Sequence, residues 1–170
     1  RRRGAALPIV LDPVLAASSG GLLLDEPGID RLLQGLMLLA TVTTPNIVEL
    51  AALAGRLGGE TGADVGARAL ALLAAGAPAV LAKGGHAEGP IAEDILFRQD
   101  SAPPVRFAAP RSAASLRGTG CALSTAIAVH LAAGRDLETA CRLGKAHLSA
   151  LFDAASSSTS NPSPEPCVGG

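Results

Sequence analysis

The chain has 170 residues, a formal net charge of −1, 48% hydrophobic and 17% charged residues, which suits one folded domain with a sizeable core. Arg1-Arg2-Arg3 is the one dense basic run, so no global basic field argues for nucleic acid or an anionic membrane surface, and a solvated terminus accounts for the run. Cys121, Cys141 and Cys167 are odd in number and lack metal-ligand spacing, and Asp, Glu, Pro or Asn interrupts each apolar stretch before spanning length; this excludes a disulfide framework, a zinc site and a membrane helix and leaves a cytoplasmic protein.

Pro8–Leu15 (PIVLDPVL) is too short for a helix and breaks at Asp12-Pro13, which predicts a buried parallel strand carrying Asp12 at its C-terminal edge. Ser18–Gly21 reads as a loop. After Pro27, Ile29, Leu32, Leu33, Leu36 and Met37 share one helical face, so Ile29–Leu39 is expected to be a crossover helix. Ala40–Thr44 is β-branched and stops at Pro45-Asn46, where Asn46 suits an N-cap and Glu49 its capping-box partner. A further helix is expected over Ala63–Ala75, followed by a buried strand at Ala79–Lys83 that ends in Lys83-Gly84-Gly85-His86. This alternation of strands and helices predicts an α/β fold with a mainly parallel sheet and helices on both faces.

Ile95–Arg98 and Val105–Ala108 are short and separated by polar and proline residues, which predicts antiparallel strands at the sheet edge. A loop then leads through Arg117-Gly118-Thr119-Gly120-Cys121 into a helix reaching Ala133, and Asp136 caps a last helix over Leu137–Ala154. Residues 1–155 form the expected domain. The Ser-, Pro- and Gly-rich segment 156–170 lacks the apolar surface to offset ordering and reads as a disordered tail.

Gly118, Thr119 and Gly120 would present backbone N–H groups at a helix N-terminus, where the helix dipole favours an anion and would favour thiolate at Cys121. The same stretch also reads as a tight turn into a buried helix with a small core cysteine. Asp12, Asn46, Glu49, Lys83 and this loop all fall at strand ends or the following helix starts, where ligands bind in open α/β sheets. An anion hole, a lysine and oxygen donors suited to hydrated Mg²⁺ are what phosphoryl transfer needs, and no GxxxxGK[ST] is present.

Four motifs in this order carry a resemblance: Val10–Leu15 (VLDPVL) with Ser19-Gly20, Thr44-Pro45-Asn46 with Glu49, Lys83-Gly84-Gly85-His86, and Gly118-Thr119-Gly120-Cys121. Between Pro8 and about Asp153 the chain resembles the hydroxymethylpyrimidine/phosphomethylpyrimidine kinases of thiamine biosynthesis, in the ribokinase-like superfamily. Cys121 sharpens the likeness, because most ribokinase-like enzymes carry Asp there. The resemblance implies ATP and Mg²⁺ as cofactors, a small pyrimidine as substrate and a homodimer in the full-length family.

It further implies that Gly118, Thr119 and Gly120 form the anion hole with Cys121 as the catalytic residue. Asn46 and Lys83 would bind ATP phosphates, Asp12 and Glu49 would serve the metal, and Val14 would line the pyrimidine pocket. Each also has a plain structural reading: Asn46 and Glu49 as a helix cap, Asp12 as a turn residue, Lys83 as a solvated charge. A Cys-bearing pyridoxal kinase and a non-catalytic nucleotide-binding remnant are the alternatives. Arg117 replaces the family's usual His or other polar residue, where it either adds charge beside the phosphates or faces solvent. The family's first strand and glycine-rich loop should precede Arg1, and no initiator Met is present, so an N-terminally truncated fragment or processed product is expected. Such a chain would bind nucleotide weakly, self-associate through an open edge and show no measurable pyrimidine phosphorylation alone.

Overall fold

The computed structural model describes residues 7–17, 19–60, 62–85, 89–100, 102–112 and 116–159. Arg1-Arg2-Arg3, Ser18, His86, Cys167 and the segment 160–170 lie outside the described residues. Five strands form one mixed sheet in the order β1 (Val10–Leu11), β2 (Val42–Thr43), β3 (Ala79–Lys83), β4 (Ile91–Arg98) and β5 (Val105–Pro110). β1 with β2 and β2 with β3 run parallel, and the last two pairings are antiparallel.

Before β2 a nearly continuous helical segment comprises α1 (Glu26–Arg31), a wider π-helical turn (Leu32–Leu36) and α2 (Met37–Leu39). It begins earlier than Ile29 because Asp25 Oδ1 accepts the Gly28 N–H at 2.9 Å and caps the first turn. α3 (Ile47–Arg56) and α4 (Val65–Ala74) follow, capped by Asn46 and Asp64. These helices and the sheet bury Leu32, Met37, Leu50, Leu53, Leu72, Val80, Ala82 and Phe97 together. On the opposite face, α5 (Thr119–Ala132) and α6 (Leu137–Thr159) enclose Val42, Leu81, Leu96, Phe107, Leu123, Ile127 and Cys141. The period-two alternation of the strands separates these two cores.

Three further elements depart from the sequence expectations. β1 spans only Val10–Leu11 of the expected Pro8–Leu15, because the chain turns beyond Asp12 and Val14 N–H bonds back to Asp12 O at 2.9 Å. β4 is eight residues long and lies between β3 and β5, whereas Ile95–Arg98 was expected as a short edge strand. Its charged half, Glu93-Asp94, can enter the sheet because Lys145 of α6 pairs with Asp94 at 2.8 Å. The two side chains are 11% and 4% exposed. Finally, α6 continues through Thr159, past the expected tail boundary at Ser156. Ser156 and Ser157 hydroxyls donate to the Phe152 and Asp153 carbonyls one turn back, satisfying themselves within the helix.

The buried pair generates a stability prediction. Lys145→Met leaves Asp94 buried without its cation, and breaking such a pair on one side costs about 3–5 kcal/mol. Denaturant unfolding should show a loss of this size, and a loss below about 1 kcal/mol would mean that the pair is solvated. Cys141 gives a second. Burial, then the Asp94 and Glu138 carboxylates, pushes its thiol up to about 12 from 9.0. A raised thiol pKa stabilises the fold fully below the unfolded value and loses that contribution as pH climbs from about 9 through about 12. Iodoacetamide at pH 8 should therefore label exposed Cys121 and spare Cys141 in the native chain, as peptide mass mapping would show.

Candidate active site

Asp12, Thr44 and Lys83 lie on the α5/α6 face at the C-terminal ends of β1, β2 and β3, continuing the side on which Val10, Val42 and Leu81 pack. Lys83 Nζ donates to Asp12 Oδ1 at 2.7 Å, with the two side chains 11% and 16% exposed. Thr44 Oγ1 reaches the same oxygen at 3.3 Å and Ser124 Oγ at 2.9 Å. Ser124 in turn donates to Gly120 O at 3.0 Å, which ties the first turn of α5 to the strand ends.

That first turn starts on a glycine and carries no side-chain cap. Gly118, its N-cap, has φ +76°, a left-handed conformation that favours glycine, and no side chain caps the helix. α3 and α4 are capped by side chains, and Asp136 Oδ1 accepts the Thr139 N–H at the start of α6. The α5 N–H groups and the positive end of its dipole are thus left to whatever approaches Gly118–Gly120. Lys83 adds its charge there: a Cβ built on Gly120 would lie 3.1 Å from Lys83 Nζ and 3.9 Å from Asp12 Oδ2. The ammonium thus lies where it would crowd a side chain at position 120.

The next residues are fixed as firmly. Lys83 N–H bonds to Pro45 O at 2.8 Å, and Asn46 and Lys83 form a parallel β-bridge. Gly84 N–H donates to Asp94 Oδ1 at 2.9 Å, while Lys145 holds the other Asp94 oxygen. Gly84 tolerates no side chain, since its Cβ would fall 1.9 Å from Glu93 O.

The structure thus brings together Asp12, Lys83 and Gly120, with Gly118, Thr119 and Cys121 on the same turn and Asn46 beside Lys83 through the backbone. The side chains of Asn46 and Glu49 form a capping box: Glu49 N–H donates to Asn46 Oδ1 at 2.9 Å and Asn46 N–H to Glu49 Oε2 at 2.7 Å. Asn46 therefore offers its amide N–H₂ group as its remaining donor. Val14 is exposed on the loop after β1. Among the described residues no cluster of three or more His, Cys, Asp or Glu could hold a metal. Asp12 and Glu49 are hard oxygen donors of the kind Mg²⁺ takes when it uses one or two carboxylates and keeps several waters. No helix among the described residues is long and apolar enough to cross a membrane.

Sequence reasoning missed Ser124, Asp94, Lys145 and Arg111. Ser124 sits four residues after Gly120, the spacing for a back-bond to its carbonyl. Lys145 lies four residues after Cys141 on the buried stripe of α6, where an unpaired lysine would not be tolerated. On the α3/α4 face a cleft of about 490 Å³ opens beside Ile47, Val65, Ala82, Gly84 and Ile91 and does not include the α5 turn.

Comparisons with known proteins show the family and the fold. Residues 2–164 match the family described as phosphomethylpyrimidine kinase. The hydroxymethylpyrimidine/phosphomethylpyrimidine kinase of Rhizobium meliloti is 42% identical over 147 residues, covering 86% of this chain and 54% of the relative. That of Salmonella typhimurium is 41% identical over 121 residues, covering 71% and 45%. Among solved structures, Staphylococcus aureus pyridoxal kinase in complex with ADP superposes with TM-score 0.73 at 26% identity, covering 85% of this chain and 52% of that one. Phosphomethylpyrimidine kinase from Clostridium difficile 630 gives 0.64 at 30%, covering 86% and 58%. The chain spans about half the length of these curated relatives. On the family match and these identities, the chain belongs to the phosphomethylpyrimidine kinase family.

Proposed function

We propose that the protein transfers the γ-phosphoryl group of ATP to 4-amino-5-hydroxymethyl-2-methylpyrimidine and then to its monophosphate, a step toward thiamine diphosphate. The observation that carries this reading is the position of the Lys83 ammonium, 3.1 Å from where a Gly120 Cβ would lie at the uncapped start of α5, with Asp12 orienting it. Phosphoryl transfer demands positioning and charge stabilisation more than covalent chemistry, and a fixed lysine beside helix N–H groups supplies both.

In this mechanism Gly118, Thr119 and Gly120 donate N–H groups to phosphate oxygens as charge develops. Lys83 and the Asn46 amide hold the nucleotide phosphates. A Cys121 thiolate takes the hydroxymethyl proton while the oxygen forms its bond to phosphorus and the bond to the ADP oxygen breaks. Bound Mg²⁺ would neutralise phosphate charge, held by Asp12 and Glu49. Val14 borders the pyrimidine. We extend the domain from the expected 1–155 to the end of α6 at Thr159, and the proposal to a homodimer acting in the cytoplasm.

A second reading, pyridoxal kinase, is favoured by the higher TM-score to the S. aureus enzyme, 0.73 against 0.64. Pyridoxal also offers a hydroxymethyl group. Competition between the two acceptors in the expressed gene product separates them: the pyrimidine should be phosphorylated preferentially, and preferential phosphorylation of pyridoxal would overturn the first reading.

Two substitutions test the roles. Gly120→Ala places a methyl group against the Lys83 ammonium and should raise the KM for ATP and lower turnover, and unchanged kinetics would remove the anion hole from the account. Cys121→Ala should cost about 10²–10⁴-fold with the alcohol, the usual worth of a general base, and less with the monophosphate, which already presents an anionic oxygen. Equal losses on both acceptors would make Cys121 a shaping residue.

A further inference from the structure

Arg111, directly after β5, spends its guanidinium on backbone. Nε donates to Gly89 O at 2.8 Å, Nη2 to Ile91 O at 3.0 Å and Gly84 O at 3.4 Å, and Nη1 to Gly85 O. Its own N–H bonds Pro90 O at 2.8 Å. One side chain thus gathers carbonyl oxygens from both ends of the turn between β3 and β4, directly after Lys83. The planar fork of arginine can do this, and lysine's single ammonium on a flexible stem cannot reproduce it.

We propose that Arg111 is a positioning residue for the phosphate site, setting the orientation of the Lys83-Gly84-Gly85 backbone; this rests on the phosphate-site reading above. In a planar trans peptide the C=O of one residue and the N–H of the next point in opposite directions. With Gly84 O turned onto Arg111, the Gly85 N–H is aimed away from the guanidinium and serves as an anion donor beside Lys83. The oxygens that would repel a phosphate are drawn off at the same time. Gly84 N–H is already committed to Asp94, so Asp94 and Arg111 together fix the peptide groups on either side of Gly84.

The test is equilibrium binding of ADP, inorganic tripolyphosphate and adenosine to the wild-type chain, Arg111→Ala, Arg111→Lys and the Gly120→Ala control, with folding checked by thermal unfolding. Arg111→Ala should weaken ADP and tripolyphosphate at least tenfold and adenosine less than twofold. Millimolar guanidinium ion should recover part of the loss. Arg111→Lys, which keeps the charge and packs similarly, should lose most of what Ala loses, and it carries the test if Ala does not fold. Equal weakening of adenosine, or Arg111→Lys binding like wild type, would overturn the proposal. If Gly120→Ala loses ADP while both Arg111 variants keep it, the phosphate site stands and the role of Arg111 falls. If the wild-type chain binds neither ADP nor tripolyphosphate, both fall.

Discussion

The site depends on one ion pair pressed against one glycine. Lys83 extends from the end of β3, and its ammonium is held by Asp12 from the end of β1 in the space that a side chain at residue 120 would occupy. A lysine alone would sample many rotamers, and holding it costs side-chain entropy that must be offset by contacts. Asp12 supplies the charge, Thr44 steadies Asp12, and Ser124 links that network to the Gly120 carbonyl. Three strand ends and a helix start are thereby joined through four side chains, which places positive charge and α5 N–H groups together before any ligand arrives.

A second layer holds the first. Asp94 lies opposite Lys83 in the β3–β4 pairing and faces the same side of the sheet. One carboxylate oxygen pairs with Lys145 and the other accepts the Gly84 N–H. Such a pair contributes little net stability compared with an apolar replacement, but it fixes a backbone group that an apolar replacement would leave unbonded. The fold thus trades packing for definition where a peptide must be oriented.

Much of the fold was legible in the sequence because it is written in local signals. Asn46 and Asp136 announce helix starts, and Ala79–Lys83 is a strand throughout; the caps Asp25 and Asp64 were not read, and β2 covers only Val42–Thr43 of the run Ala40–Thr44. The first half of β4 was not legible, because only the distant Lys145, 51 residues away, makes Asp94 a core residue. Long-range charge pairing leaves no local trace. The start of α6 was legible, and its end was not: Ser156 and Ser157 satisfy their hydroxyls on the helix itself, which composition does not reveal. For the site, the motif residues Asp12, Lys83 and Gly120 were readable and do meet. Arg111 was not, because its partners are carbonyl oxygens, which every residue has.

Amide-resolved titration of the ¹⁵N-labelled chain with ADP tests the central claim most directly, since each N–H at the α5 start reports on its own acceptor. The account predicts saturable shifts largest at Gly118, Thr119 and Gly120, with a second group at Gly84 and Gly85. Saturable binding that leaves these five amides unmoved while shifting residues elsewhere would contradict it.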